Sequence, residues 1–261
     1  MAGVEIRIKD EGGDGAMRRQ IAQQIRRLNL TLRQDVGSEL SAELLGVLDA
    51  VQTACKIISR STSRAGLERM LGTPGKVHWD QMENLAQLTF QHFLLSCGWV
   101  CAVASPKTET LLRPAPDARG HWSPYLVVFN ALDAATSLHA GVTSGSIFAV
   151  LRRASPLGSH AIEADALQAG ESYILAGYAM YGARTCLRLS GRADILARPR
   201  SYALDTEIGE FVGDSWASGK VPETGEEYSV NEGLTSEWKG PAKTLLEELR
   251  AGSSDGGECN G

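Results

Sequence analysis

The sequence predicts an α+β protein built from layers of helices and sheet. Amphipathic helical patterns come first along the chain, and a run of short, buried strands follows them. This segregation is typical of a layered α+β domain, whereas alternating helices and strands would indicate a parallel sheet of βαβ units. The chain has 261 residues, of which 43% are hydrophobic, so it can form one large domain or two small ones, each with a core.

The helices are predicted from apolar residues that recur every three or four positions. The predicted helices cover 17–34, 39–64, 79–96 and 243–250. In the first of them one stripe is formed by Ile21, Ile25, Leu28 and Leu32, with arginines beside it. We expect this stripe to dock on its own domain or on a sister subunit. The alternative is a basic helix that binds a membrane or an acidic partner.

The same periodicity predicts which residues of the next two helices face the core. In the second helix these are Leu44, Val47, Leu48, Val51, Cys55 and Ile58. In the third they are Leu85, Leu88, Phe93 and Leu94.

Short apolar runs that read as strands buried on both faces follow the third helix. The predicted strands are Val100–Val103, Tyr125–Phe129, Ser144–Leu151, Ile174–Tyr181, Thr185–Leu189 and Asp194–Ala197. The second of these strands is expected to end at Phe129 and to run into a polar loop. Beyond residue 201 the chain becomes polar, and 202–212 and 226–233 are expected to open a second sheet.

Composition excludes several classes of function. A net charge of -5 argues against a nucleic-acid partner, and no apolar run reaches transmembrane length. Five irregularly spaced cysteines do not form a disulfide framework, and the histidines lack the spacing of a zinc site. The first residues make a poor signal or transit peptide, so a cytoplasmic protein is expected, with the plastid stroma as the alternative.

Six short segments, in this order and at these intervals, resemble class 1 fructose-1,6-bisphosphatase over roughly residues 43–250. They are ACKIIS (54–59), VVFNALDAATS (127–137), GSIF (145–148), LAGYAMYG (175–182), IGEF (208–211) and YSVNEG (228–233). The resemblance implies the layered α/β sandwich of the sugar phosphatases and descent from a magnesium-dependent sugar-bisphosphate phosphatase. It also implies an N-terminal domain over 17–200 and the start of an incomplete second domain over 201–250. The polar, glycine-rich composition of the two ends predicts a flexible lead over 1–16 and a disordered tail over 251–261.

The resemblance places metal-binding acids at positions where this chain mostly has none. The family motif Phe-Asp-Pro-Leu-Asp-Gly-Ser-Ser-Asn corresponds to 129–137, so Asn130 replaces one aspartate and Asp133 keeps the other. The family's Ser-Glu-Glu corresponds to residues 105–107, so Pro106 and Lys107 replace two glutamates. Two helical aspartates correspond to residues 86 and 91, which are alanine and glutamine here.

The resemblance also implies binding positions. Thr136 keeps a hydroxyl in the phosphate-binding segment, and Asn231 matches an asparagine of the family's phosphate pocket. The family's nucleotide site would use Tyr125 and either Arg152 or Arg153, although Pro124 stands where the family has a lysine.

Magnesium prefers hard, charged oxygen ligands, and of the acids expected in this part of the chain Asp133 alone is kept. We therefore expect a catalytically inactive binding, regulatory or scaffold subunit without a cofactor, in a homo-oligomer or a complex with another protein. The alternative is a weak or altered sugar-phosphate phosphatase that uses magnesium. Metal binding distinguishes the two.

Overall fold

The computed structural model describes residues 31–64, 79–116, 118–133, 140–214 and 232–252, together with Gln23, Leu138 and Val230. The chain divides into two compact units, Met1–Ala217 and Ser218–Gly261. The first unit contains the sheet and the helices packed on it, and it is the unit in which the predicted site residues lie, apart from Asn231.

The described part of the first unit is built on one seven-stranded sheet, whose strands are ordered β1 to β7 in sequence order. The strands are β1 Val100–Ala104, β2 Tyr125–Asp133, β3 Ser144–Arg152, β4 Tyr173–Tyr181, β5 Thr185–Gly191, β6 Arg200–Asp205 and β7 Glu210–Gly213. β1 pairs parallel with β2, and every later neighbour is antiparallel. The α+β layered fold expected from the sequence is confirmed.

Two expectations about the strands are wrong. Residues 194–197 do not form a strand, because the N–H groups of Ile195 and Leu196 both donate to the carbonyl of Arg192 and close a turn. The segment 202–212 does not open a second sheet, because β6 pairs with β5, and β7 pairs with β6. The first sheet therefore continues past residue 200. Short hairpin strands carry too little apolar sequence to reveal which sheet they join.

Helices cover one face of the sheet. They are α1 Leu32–Val36, α2 Ala42–Arg64 and α3 Trp79–Ser96, whereas the short α4 Glu163–Ala166 lies on the opposite face. The main core contains side chains from α1, α2, α3 and the helix-facing residues of the strands. A smaller cluster, which includes Leu126 and Leu151, lies on the opposite face. All six residues predicted to be the inner face of α2 are buried, since a long helix on a sheet keeps one stripe inward.

The first predicted helix, 17–34, does not run through Thr31. This residue is extended, with φ −63° and ψ 150°, and it forms a β-bridge with Val212 before α1 begins at Leu32. Leu32 is fully buried, as the stripe predicted. The other three stripe residues lie outside the described residues.

The predicted inner face of α3 is only partly right. Leu94 is buried and Phe93 packs against the core as predicted, but the buried face is rotated by part of a turn. Leu85 and Leu88 are 41% and 63% exposed, and the buried row is Met82, Ala86, Phe90 and Leu94. Phe90 sets this rotation, because its ring stacks on Phe129 of β2 with 5.0 Å between centroids. An aromatic pair between a helix and a strand is a tertiary contact, and periodicity along one helix does not contain it.

The second unit contains a 3₁₀ helix, Glu232–Glu237, and α5, Pro241–Gly252. α5 includes the predicted helix 243–250 and extends it at both ends. Among the residues that the structure describes, no helix has the length and apolarity needed to cross a membrane.

Candidate active site

A β-bulge at the end of β2 positions the two residues of the strand-end motif. β2 does not end at Phe129 but runs to Asp133, and its pairing with β3 shifts between Asn130, opposite Ile147, and Asp133, opposite Gly145. Bulges re-aim side chains where a strand ends at a site. Ala131 and Leu132, which lie in the bulge, are buried. The expected polar loop directly after Phe129 is therefore wrong. Asn130 is half-buried and Asp133 is exposed.

A buried polar network stabilises this bulge. The hydroxyl of Ser146 donates to the carbonyl oxygen of Ala131 at 2.5 Å and lies 2.7 Å from the hydroxyl of Tyr181. Tyr181 also hydrogen-bonds to the thiol of Cys55 on α2, where burial raises the pKa of the thiol to about 12. Burial likewise raises the pKa of Tyr181 well above its ordinary value. Both groups are therefore neutral at physiological pH and serve as structural donors and acceptors.

A turn after β1 carries the second pair of predicted positions. The N–H of Thr108 donates to the carbonyl of Ser105, which closes a turn with Pro106 and Lys107 at its centre. Proline presets the backbone for this central position. The ammonium of Lys107 lies 2.8 Å from Oε1 of Glu83 on α3, in an ion pair.

The third pair of positions lies on α3 on two different sides. Ala86 is 1% exposed and belongs to the main core. Gln91 is half-buried, one and a half turns further along. Between them Gln87, which the sequence reasoning missed, is buried and accepts a hydrogen bond from the hydroxyl of Ser105 at 2.8 Å, while its side-chain nitrogen has no partner within the described residues.

This donor set does not fit a divalent metal ion. The carboxylate of Glu83 is paired with the Lys107 ammonium, and Asp133 is the one acidic residue of β2. Across the described ranges, no three His, Cys, Asp or Glu side chains are grouped so that they could share a metal ion. Neutral amides and a cation replace the charged oxygens that magnesium needs to shed its water.

The predicted nucleotide-binding pair does come together. Tyr125 and Arg152 are cross-strand neighbours, and the guanidinium of Arg152 lies over the Tyr125 ring, 5.4 Å from its centroid. Arg153 points elsewhere: it is 6% exposed and donates to Ser155 and Ser159. Of the two arginines, Arg152 is therefore the one on the surface beside Tyr125.

A tryptophan fills the space beside α2 at the same end of the sheet. A Cβ atom at Gly46 would lie 2.2 Å from Cδ1 of Trp99, so only glycine allows this contact. Trp99 directly precedes Val100, which pairs with Tyr125. The contact thus places α2 beside the start of β1, the strand that pairs with the one carrying Tyr125.

Two predicted binding residues, Thr136 and Asn231, lie outside the described residues. The residues that the sequence reasoning missed come from two elements, Glu83 and Gln87 from α3 and Ser146 from β3. Glu83 and Gln87 are four residues apart on one helix, which places them on the same face. No sequence signal connects that face with the turn after β1.

The geometry described above, a mixed sheet with α1, α2 and α3 on one face and a polar site at the ends of β1 and β2, is that of the sugar-phosphatase layered fold. The family model for the fructose-1,6-bisphosphatase N-terminal domain matches residues 25–214. The chain belongs to the fructose-1,6-bisphosphatase family.

Individual relatives agree with this assignment. The chain is 28% identical over 235 residues to the class 1 fructose-1,6-bisphosphatase of Nitratidesulfovibrio vulgaris. The aligned residues cover 88% of this chain and 68% of the relative. It is 29% identical over 229 residues to that of Maridesulfovibrio salexigens, covering 85% of this chain and 65% of the relative. The chain thus spans about two thirds of the length of these curated relatives.

Solved structures show the same fold. Leishmania major fructose-1,6-bisphosphatase superimposes with a TM-score of 0.69 in its apo form and 0.70 in its holo form, at 27% and 28% identity. Each comparison covers 84% of this chain and 67% or 68% of the other.

Proposed function

We propose that this protein is a catalytically inactive fructose-1,6-bisphosphatase-like protein that acts as a binding, regulatory or scaffold subunit. The observation that carries the proposal is the ion pair between Lys107 and Glu83 in the turn after β1. A positive charge stands where the resemblance expects a metal-binding glutamate, and it is held in place by a carboxylate of the chain itself.

The other replaced positions support the same proposal. Ala86 is packed in the core, Asn130 presents an uncharged amide, and Pro106 has no polar side-chain group. Losing one electrostatic stabiliser of a transition state typically costs about 3–4 kcal/mol. Losing most metal ligands removes the ion that orients the attacking water and neutralises the phosphoryl oxygens.

The alternative function is that of a weak or altered sugar-phosphate phosphatase. Membership of the family favours it, and so does Asp133, which is exposed at the end of β2 and keeps its acid. In that case Asp133 would bind the ion, and Mg²⁺ would have to bind tightly enough to overcome its repulsion by the Lys107 ammonium.

Titration calorimetry with Mg²⁺ tests the proposal against this alternative. We expect no site tighter than millimolar in the parent protein, because a single carboxylate replaces too little hydration water and the Lys107 ammonium repels the ion. The matched control is Asp133→Asn, which should give the same flat titration. A stoichiometric micromolar site that Asp133→Asn removes would overturn the inactive assignment.

The binding role is supported by an apolar patch on the sheet face opposite α1, α2 and α3. Ile147, Tyr178 and Met180 are 58%, 41% and 38% exposed, and Ile147 is the cross-strand neighbour of Tyr178. Exposed apolar clusters of this kind are typical of protein–protein contacts. We propose that a second copy or another protein covers this patch, in cytoplasm or, alternatively, plastid stroma.

Light scattering after size exclusion tests the patch. We expect the parent to elute as a dimer or larger, or with a co-purifying protein, and Ile147→Lys with Tyr178→Lys to shift it towards the monomer. Leu157→Lys with Leu167→Lys is the control, because these residues are 65% and 83% exposed and lie in a different part of the chain. The partner proposal would be contradicted by a parent that is monomeric at tens of micromolar, has no co-purifying protein, and elutes at the same position as both double variants.

A further inference from the structure

The turn after β1 is attached to α3 at two points. The hydroxyl of Ser105 donates to Oε1 of Gln87 at 2.8 Å and accepts from the N–H of Lys107 at 3.2 Å. The ammonium of Lys107 reaches Oε1 of Glu83 at 2.8 Å. Both partners are on one face of the helix, since residues four apart are neighbours there.

The two attachments differ in character. The bond between Ser105 and Gln87 is sheltered, because Gln87 is 7% exposed. The ion pair is open to water, with side chains 50% exposed for Lys107 and 29% for Glu83. An ion pair this exposed contributes modestly to stability, but its removal leaves a carboxylate facing the strand end without a counter-charge.

Because the side chains of this site do not fit a metal ion, we propose that the Lys107 ammonium supplies the positive charge where the end of β1 meets α3, at the β1–α3 junction. It neutralises Glu83 and holds the strand end against the helix, so that the stability of the domain is independent of divalent metal. The inference goes beyond the proposed function, because it concerns what stabilises the fold and is measured without substrate.

The charges at the junction explain why the residue type at position 107 decides whether the stability of the domain depends on divalent metal. With lysine, the pair at this junction is neutral and an incoming divalent ion meets a positive charge. With glutamate at the same position, two carboxylates would approach across the junction and repel each other. Opposed carboxylates are the arrangement that a hard divalent cation stabilises.

Thermal unfolding of the full chain, in chelator and in millimolar Mg²⁺, tests this inference. The Tm of the parent is expected to be the same in both solutions. The Tm of Lys107→Glu is expected to fall by about 2–4 °C in chelator, which corresponds to a change of about 1 kcal/mol in a domain of this size. Mg²⁺ is expected to recover most of that loss in this variant alone.

The reciprocal exchange, Glu83→Lys with Lys107→Glu, restores an opposite-charge pair, so its Tm should return to the parent value and its response to Mg²⁺ should disappear. Lys243→Glu on α5 changes the net charge equally at an exposed position, and it should show no response to Mg²⁺. If Lys107→Glu does not fold, Lys107→Gln replaces it, and it is expected to unfold at a slightly lower Tm in both solutions.

Three outcomes would overturn the inference. They are a parent Tm that rises with Mg²⁺, a Lys107→Glu variant as stable as the parent in chelator, and an exchange variant no more stable than Lys107→Glu. None of these outcomes depends on phosphatase activity, so the inference and the proposed function can fail separately.

Discussion

Phosphate release from fructose-1,6-bisphosphate by this protein is expected to stay at the level of a buffer blank, with Mg²⁺ or Mn²⁺ present. The reason is the chemistry of the site. Hydrolysis of a phosphate ester in a metal-dependent phosphatase relies on ions that orient water and neutralise the phosphoryl group. In this protein Lys107 is paired with Glu83, Ala86 is buried, and Asp133 is the acid that remains at the strand end.

The assay needs a positive and a negative control. The class 1 enzyme of Nitratidesulfovibrio vulgaris, prepared in the same way, is the positive control. Asp133→Asn in the present chain is the negative control, and its rate should match both the parent and the blank. A parent turnover near about 1 per second, which is an ordinary enzyme rate, would contradict the expectation if Asp133→Asn abolished it.

A substitution far from this site is expected to have the largest effect on stability. Asp165 is a fully buried residue of α4, and its carboxylate accepts hydrogen bonds from the N–H groups of Ala154, Ser155 and Ile162 at 2.7–2.8 Å. The hydroxyl of Ser155 adds a fourth bond at 2.6 Å. Asp165→Ala would leave these buried donors without an acceptor, so we expect a loss of at least about 3 kcal/mol in the free energy of unfolding.

Urea unfolding measures this loss. Asp194→Ala removes an exposed carboxylate paired with Arg192 and serves as the control, with little change expected. Asp165→Asn should fall between the two, because the amide keeps one acceptor oxygen. An Asp165→Ala variant as stable as the Asp194→Ala control would show that water replaces the carboxylate at no cost.

The same carboxylate predicts a dependence on pH. Burial alone would raise the pKa of Asp165, but the bonds from the Ser155 hydroxyl and from the three N–H groups outweigh it and hold the pKa below the ordinary value of 3.8. A lowered pKa contributes stability above the unfolded-state pKa, and this contribution is lost as the pH falls through the folded-state value. The difference in stability between the parent and Asp165→Ala should therefore shrink as the pH falls below about 4.

The family, the positions of α2, α3 and α5, and most strands could be predicted from the sequence because their signals are local. α2 and the second strand illustrate this. The inner face of α2 follows from spacing along one element, and a run such as Tyr125–Phe129 is apolar on both faces wherever it lies. The replaced acids can also be identified from the sequence, because this requires only that each position be matched to the family motif.

The tertiary structure decided the features that depend on two elements at once. Phe90 stacks on Phe129 and rotates α3 away from the periodicity that favoured Leu85 and Leu88. Ser146 accommodates the bulge that extends β2 to Asp133.

The replacement of an acid by Lys107 was visible in the sequence, but its partner Glu83 was not. The two residues are separated by 24 positions along the chain and meet only because β1 lies against α3. The sequence by itself therefore determined which acids of the family motif are replaced in this chain. Only the packing of helix on strand decided what the replacing lysine contacts, because the energy of an ion pair depends on a distance in space and not on a spacing along the chain.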